Sequence, residues 1–247
     1  MFGFSGSALA QIPYSTSFEA SDGFIAGGSV NGVGGWANGS GGGGSHSVST
    51  AQAFTGSQSI VFDNSGGNIS FYSVRRALNN DYTLFPVITV STRLYLDGST
   101  GADRLYSLLG TGSATGTMGG TILGVSVGGD GRVRAGNTWA ATYTVSGVIG
   151  QFTTGHTGRW LTLSFTYNSF DRSATATASN GTESFTWSGT AGGTANVLNF
   201  NLGSDYDGTV NRTGIGYFDD VQAVPEPATL AALGLGALAL MRRRRTK

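Results

Sequence analysis

From Gln11 to Val224 apolar and polar residues alternate with a period of two, and no amphipathic stretch of helical period occurs before residue 228. Such alternation marks half-buried β-strands, whose side chains point to opposite faces in turn. "SQSIVF" (57–62), "NISFYSV" (68–74), "VITVSTRLYLD" (87–97), "TILGVSV" (121–127), "RWLTLSFTY" (159–167), "RSATATA" (172–178), "TESFTWSG" (182–189) and "GIGYFDDVQAV" (214–224) read as strands. Between them "GGDGR" (128–132), "NSFDR" (168–172) and Asn180-Gly181 are hairpin signals, because Gly and Asn accept the positive φ of tight turns. Residues 162–187 are therefore expected to form a three-strand antiparallel meander. About a dozen strands without helices predict an all-β fold of two packed antiparallel sheets, a β-sandwich or jelly roll. The glycine-rich stretch 31–46 reads as a long surface loop within the same domain.

Composition fits this reading. Only 11% of the 247 residues are charged and 42 are glycine, while fourteen Phe, nine Tyr and four Trp supply core material. The formal net charge of zero hides an uneven distribution. Five of the basic residues lie in 242–247, leaving 11–224 with nine basic and thirteen acidic groups, a net of −4. The body thus has no basic face for nucleic acid. The absence of cysteine excludes disulfides and Cys-ligated metal centres.

The two ends break the pattern. Ala8 and Ala10 form the A-x-A spacing read by signal peptidase, so residues 1–10 are expected to be the remnant of a secretory signal, cleaved before Gln11. At the other end "VPEPATLAALGLGALALMRRRRTK" joins two prolines, an uncharged run at 228–241 and four arginines. The run is short for a membrane-spanning helix, but a cationic block directly after it acts as a stop with the C-terminus in the cytoplasm. Each proline disfavours helix at the residue before it, so Val224 and Glu226 should be extended, in an exposed connector open to proteolysis. Val224, Pro225, Glu226 and Pro227, the apolar run and Arg242, Arg243, Arg244 and Arg245 together resemble the PEP-CTERM sorting signal of Gram-negative bacteria. The resemblance implies export, transient insertion of a transmembrane helix at 228–241 in the inner membrane, recognition by an exosortase, and transfer to the cell surface or extracellular matrix, in association with exopolysaccharide. The expected organisation is a signal remnant (1–10), a sandwich domain (11–224) and a sorting tail (225–247).

The opening "SFEASDGF", Trp36, "GSQSIVF" and the closing strand "GIGYFDDVQAV" are similar to the borders of concanavalin A-like and carbohydrate-binding-module jelly rolls. That resemblance implies that the first and last strands lie side by side. It also implies a structural calcium joining Glu19 to Asp219 or Asp220. No cofactor is certain from the sequence; calcium is the more credible ion, since it accepts carboxylate and carbonyl oxygens on loops. "DYDGTVN" (205–211) offers a second place for it at Asp205 and Asp207, although Gly216 stands where a calcium loop would carry its bidentate Glu.

Carbohydrate binding would use aromatic faces beside polar groups. Trp139 and Tyr143 are the preferred candidates, at even spacing among polar neighbours, whereas Trp160 and Trp187 in the meander are assigned to the core. Glucanases of the related fold carry a clustered E-x-D-x-E strand, which is absent; the three glutamates are Glu19, Glu183 and Glu226. No G-x-S-x-G elbow presents a serine, and His46 and His156 read as solvated turn residues. The expectation is a non-catalytic surface or matrix protein whose partners are signal peptidase, exosortase and polysaccharide. The alternatives are a purely structural coat protein, or a divergent glycan hydrolase or lyase. The last needs two facing carboxyls in a groove among Asp81, Asp97, Asp103, Asp130, Asp171 and Glu183.

Overall fold

The computed structural model describes residues 13–41, 45–66, 71–138, 147–207 and 212–226. The signal remnant, Trp139, Tyr143, Pro227, the apolar run and the arginines lie outside the described residues. Fifteen strands follow in chain order: β1 (Tyr14–Thr16), β2 (Trp36–Gly41), β3 (Ser45–Ser49), β4 (Ser59–Asp63), β5 (Tyr72–Ala77), β6 (Val87–Leu96), β7 (Arg104–Thr111), β8 (Thr121–Gly128), β9 (Arg132–Gly136), β10 (Val148–Gln151), β11 (Trp160–Asn168), β12 (Ser173–Ser179), β13 (Ser184–Thr190), β14 (Asn199–Tyr206) and β15 (Ile215–Glu226).

They form two antiparallel sheets. Sheet A runs β13-β12-β11-β6-β15-β4-β3, with β1 also paired to β15, and sheet B runs β10-β9-β8-β7-β14-β5-β2. The first and last strands are neighbours, Tyr14 opposite Ala223 and Thr16 opposite Val221, as the jelly-roll resemblance implies. The meander β11–β12–β13 forms as expected, with Phe165 opposite Ala176 and Ala176 opposite Trp187. Its second turn is made by Asn180 and by Gly181 at φ 86°, and Asn180 Oδ1 accepts from the N–H groups of Thr182 and Glu183.

The core lies between the sheets. Ile88, Val90, Leu94 and Leu96 of β6 and Leu161, Leu163, Phe165 and Tyr167 of β11 are all buried, facing Tyr106, Leu108, Leu123, Val125, Phe200 and Leu202 of sheet B. Ala174, Ala176 and Ala178 give β12 a small inner face. Trp187 packs partly buried against this core, as its place in the meander predicts.

The stretch 31–46 is not one surface loop: residues 31–35 form a largely exposed turn, but strands flank it on its described C-terminal side. Trp36–Gly41 is the edge strand of sheet B, and Ser45 and His46 begin β3. Trp36 drives this: it is buried between Phe18 and Phe200, both 5.4 Å away, and its Nε1–H donates to Tyr14 Oη at 2.8 Å. His46 is likewise no solvated turn residue. It is partly buried beside Phe62 and Tyr72, and burial lowers its pKa.

Candidate surface on sheet A

Strict alternation in β6 and β11 puts every second residue inside and leaves the rest on the outer face. Register then brings distant residues together. Trp160 lies opposite Tyr95, and Tyr95 opposite Tyr217, making one row across β11, β6 and β15. The Trp160 and Tyr95 rings are 5.5 Å apart, and Tyr95 and Tyr217 6.0 Å. Phe54, from the loop before β4, meets Trp160 edge-on at 5.8 Å and remains 41% exposed. Beside this row Arg93 covers the Phe54 ring at 4.4 Å and pairs with Asp220 at 3.8 Å, and Gln222 donates to Asp220 Oδ1 at 3.1 Å. Trp160 therefore belongs to the outer face and not to the core. The alternation already placed it opposite in phase to Leu161 and Leu163, but only the strand order could give it aromatic neighbours.

Next to the aromatic row the same face becomes a hydroxyl grid. Ser91, Ser164, Thr177 and Thr186 form one cross-strand row, and Thr89, Thr166, Thr175 and Ser188 the next. Neighbouring hydroxyls meet at Thr89–Thr166 (2.8 Å) and Thr177–Thr186 (2.9 Å). β11, β12 and β13 contain no charged residue. A shallow depression on this face is lined by Thr166, Asn168, Ser173, Thr175 and Ser188.

The loop carrying Phe54 is held by two carboxylates. Asp219 Oδ2 accepts from Phe54 N at 2.7 Å and Thr55 N at 3.0 Å, while Glu19 Oε1 accepts from Ser57 N and Gln58 N, both at 2.8 Å. Asp219 stands at a bulge whose next residue, Asp220, has φ 45° and donates its N–H to Asp219 Oδ1. Asp219 is fully buried, and desolvation, outweighing three backbone N–H donors, raises its pKa to about 6. At the place expected for calcium, then, Glu19 and Asp219 are drawn to one loop but are met by N–H donors, where a cation would need oxygens. Asp205 and Asp207 likewise lie among arginines: Asp207 pairs with Arg134, and Arg104 donates to the Asp205 carbonyl at 3.1 Å. Among the described residues no three His, Cys, Asp or Glu side chains gather as a metal site.

The remaining carboxylates sit at turns. Asp81, Asp97 and Asp171 are each met by the hydroxyl and the N–H of the residue two on, Thr83, Ser99 and Ser173, and these bonds, the hydroxyl first, lower their pKa values. Asp130 pairs with Arg132, the Asp103 carbonyl accepts the Asp207 N–H at 3.1 Å, and Glu183 accepts from Thr153 N and Thr153 Oγ1. His156 lies in a turn as expected but is half-buried and not solvated: its Nε2 is 3.2 Å from the Gly129 carbonyl and its Nδ1 is enclosed.

Sheet B offers a different outer face. Ser73, Asn199, Asn201 and Ser107 point outward yet are buried; residues 112–120 fold across the two asparagines, and Ser73 Oγ accepts from Ser40 N at 3.0 Å. Asn199 Nδ2 donates to the Ser113 carbonyl at 2.7 Å and Asn201 Nδ2 to the Gly116 carbonyl at 2.6 Å. Met118 fills the centre beside Leu109 and Phe71. Gly116, at φ 62°, is required here, since a Cβ would come within 2.2 Å of Arg75 Cδ.

At its end β15 continues past Val224. Val224, Pro225 and Glu226 lie opposite Thr89, Ile88 and Val87 of β6. Val224 and Glu226 are extended, as the prolines predict, but they belong to a sheet and not to a free connector. The reason is an unfilled partner: β6 begins at Val87, and without these residues its first positions would have β11 alone beside them. Val224 is 42% exposed, whereas Pro225 is buried.

Residues 223–245 match the family model of the PEP-CTERM protein-sorting motif. They are a PEP-CTERM sorting tail. The motif implies export, exosortase processing and sorting to the surface of a Gram-negative cell. No curated protein matches the sequence. Among solved structures, arcelin-5, a lectin-like defence protein from Phaseolus vulgaris, superposes with a TM-score of 0.53 at 10% identity, covering 87% of this chain and 98% of that one. Lectin II from Ulex europaeus gives a TM-score of 0.49 at 12% identity over 86% and 97%, and the alginate lyase vAL-1 from Chlorella virus 0.45 at 14% over 79% and 95%. The likeness to arcelin-5 is one of fold: the PEP-CTERM tail follows a lectin-like two-sheet sandwich.

Proposed function

We propose that this PEP-CTERM protein is a non-catalytic component of the cell surface or extracellular matrix that binds polysaccharide on the outer face of sheet A. On its way there it is held transiently in the inner membrane. The observation that carries the reading is the half-buried pair Trp160–Tyr95, with the exposed Phe54 above it and the buried Tyr217 behind it, next to a Ser/Thr grid reached across Arg93 and Thr162. Aromatic faces supply apolar contact to sugar rings, and hydroxyls beside them exchange hydrogen bonds with sugar hydroxyls. The grid carries no charge, and the one cation beside the aromatic pair, Arg93, is matched by Asp220, which favours a neutral polymer over a polyanion. Of the carboxylates that a hydrolase could use, Asp81, Asp97, Asp171 and Glu183 are engaged by turn N–H groups and Asp130 by Arg132, which supports the non-catalytic part.

The test is affinity electrophoresis of the whole chain against neutral and acidic polysaccharides, with release of reducing ends followed in parallel. Retardation by a neutral polymer is expected, weakened roughly thirtyfold in Trp160→Ala, about 2 kcal/mol for an aromatic anchor. Thr177→Lys, on the open grid, should weaken binding without changing the melting temperature. Release of reducing ends would overturn the non-catalytic reading. Binding untouched by both substitutions would move the site away from this face.

A further inference from the structure

The element that the sorting machinery reads is also part of the folded body. The motif begins at residue 223 and β15 ends at Glu226, so the first residues of the sorting tail are the last rungs of sheet A. Ala223 lies opposite Val90, Val224 opposite Thr89, Pro225 opposite Ile88 and Glu226 opposite Val87. Ile88 is buried in the core, and Pro225, which shares its row, is buried as well. A processing enzyme that recognises Pro-Glu-Pro must contact that proline and accommodate an extended backbone in its own site. While the strand is zipped, one edge of that backbone is committed to β6 and the proline ring is covered.

Among the described residues, the pairing also weakens toward the end. On its other edge β15 is supported by β4 at Ile215–Phe218 and by β1 at Val221–Ala223, and beyond Ala223 β6 alone holds it. Strand ends held on one side are where local opening is cheapest. We propose that the body of this protein gates its own sorting: residues 224–226 are read only after they peel from Val87–Thr89 of β6, and the rest of β15 stays in place. Export and folding are thereby ordered. A chain whose β6 has not yet formed presents the motif freely, and a folded chain presents it only in the frayed state.

A reversible staple tests this. Thr89 and Val224 lie directly opposite each other, both on the outer face, and residues so placed have Cα atoms close enough for a disulfide. The chain has no native cysteine to compete. The full-length double variant Thr89→Cys/Val224→Cys is incubated with membranes containing the exosortase, oxidised or reduced, and conversion of precursor is followed on gels, with each single variant as control. The expectation is that oxidation slows conversion at least tenfold and that reductant restores the rate of the single variants. If the oxidised protein, with its disulfide verified by mass, is converted as fast as the reduced one, the proposal fails. Amide hydrogen exchange of the unmodified chain gives a second reading. Protection of Val224 and Glu226 weaker than that of Tyr217 but above the unstructured rate is expected, and no protection at all would overturn the gate.

Discussion

On the outward positions of β11, β12 and β13 stand Thr162, Ser164, Thr166, Thr175, Thr177 and Thr186; on those of β5, β7 and β14 stand Ser73, Ser107, Asn199 and Asn201. Both sheets thus present small polar groups away from the core, yet only sheet A presents them to solvent. On sheet B the chain has spent the Asn199 and Asn201 amides on its own loop 112–120, beside Met118, and the Ser73 hydroxyl on Ser40 and Asn201. The difference lies in the covering segment and not in the strands. A polar sheet face stays open to solvent only when no other segment of the chain covers it, and a loop of nine residues is enough to cover part of one.

The strongest way to break this contrast is to unplug sheet B. Met118→Ala should cost about 2–5 kcal/mol in urea denaturation, the range for emptying a buried methionine, and open residues 112–120 to proteolysis. A loss within about 0.5 kcal/mol would show that the loop rests on the sheet without sealing it. Asp219→Ala comes next. It strands the N–H groups of Phe54, Thr55 and Asp220 and should cost about 1–3 kcal/mol, with exchange rising in residues 54–58 and the Phe54 lid lost from the aromatic row.

Asp219 also sharpens the comparison through pH. Its pKa is raised from an ordinary value near 3.8 to about 6, so the folded state holds this proton more tightly than the unfolded one. Its contribution is complete below about pH 4 and is lost as pH rises through 6. Relative to Asp219→Asn, which cannot titrate, wild type should therefore gain stability as pH falls from 7 to 4, by up to about 3 kcal/mol. A difference independent of pH would mean that the carboxylate is ionised throughout. The smallest effect belongs to the open face: Thr175→Lys should change stability by no more than about 0.5 kcal/mol, since no partner is displaced.

The meander, the closing strand and the sorting tail were legible because each carries a local signal. Ala and Leu alternate with Thr and Ser in β11 and β12, and Pro-Glu-Pro precedes the arginines. β7 and β14 carry no such signal. Sheet B is covered on both faces, so "RLYSLLGT" and "NFNLGSDY" are buried almost throughout and show no contrast between inside and outside. β2 hides among glycines, where Trp36 alone marks the core. The aromatic row is illegible for another reason: Trp160, Tyr95 and Tyr217 become neighbours only through the order β11-β6-β15, a long-range fact that no local pattern encodes. The carboxylates proposed for calcium, Glu19 and Asp219, both reach the loop 54–58. What waited there was a loop's N–H groups.

The position of β15 also has a mechanical meaning. Tension on the tail enters the body at Glu226 and runs along a strand braced by β6 on one side and by β1 and β4 on the other. After the terminal rungs give way, the load is carried in shear by many hydrogen bonds at once, instead of opening them one by one from an edge. A pull applied at Glu226 therefore meets a strand gripped on both edges, which resists more force than a strand peeled from the edge of a sheet.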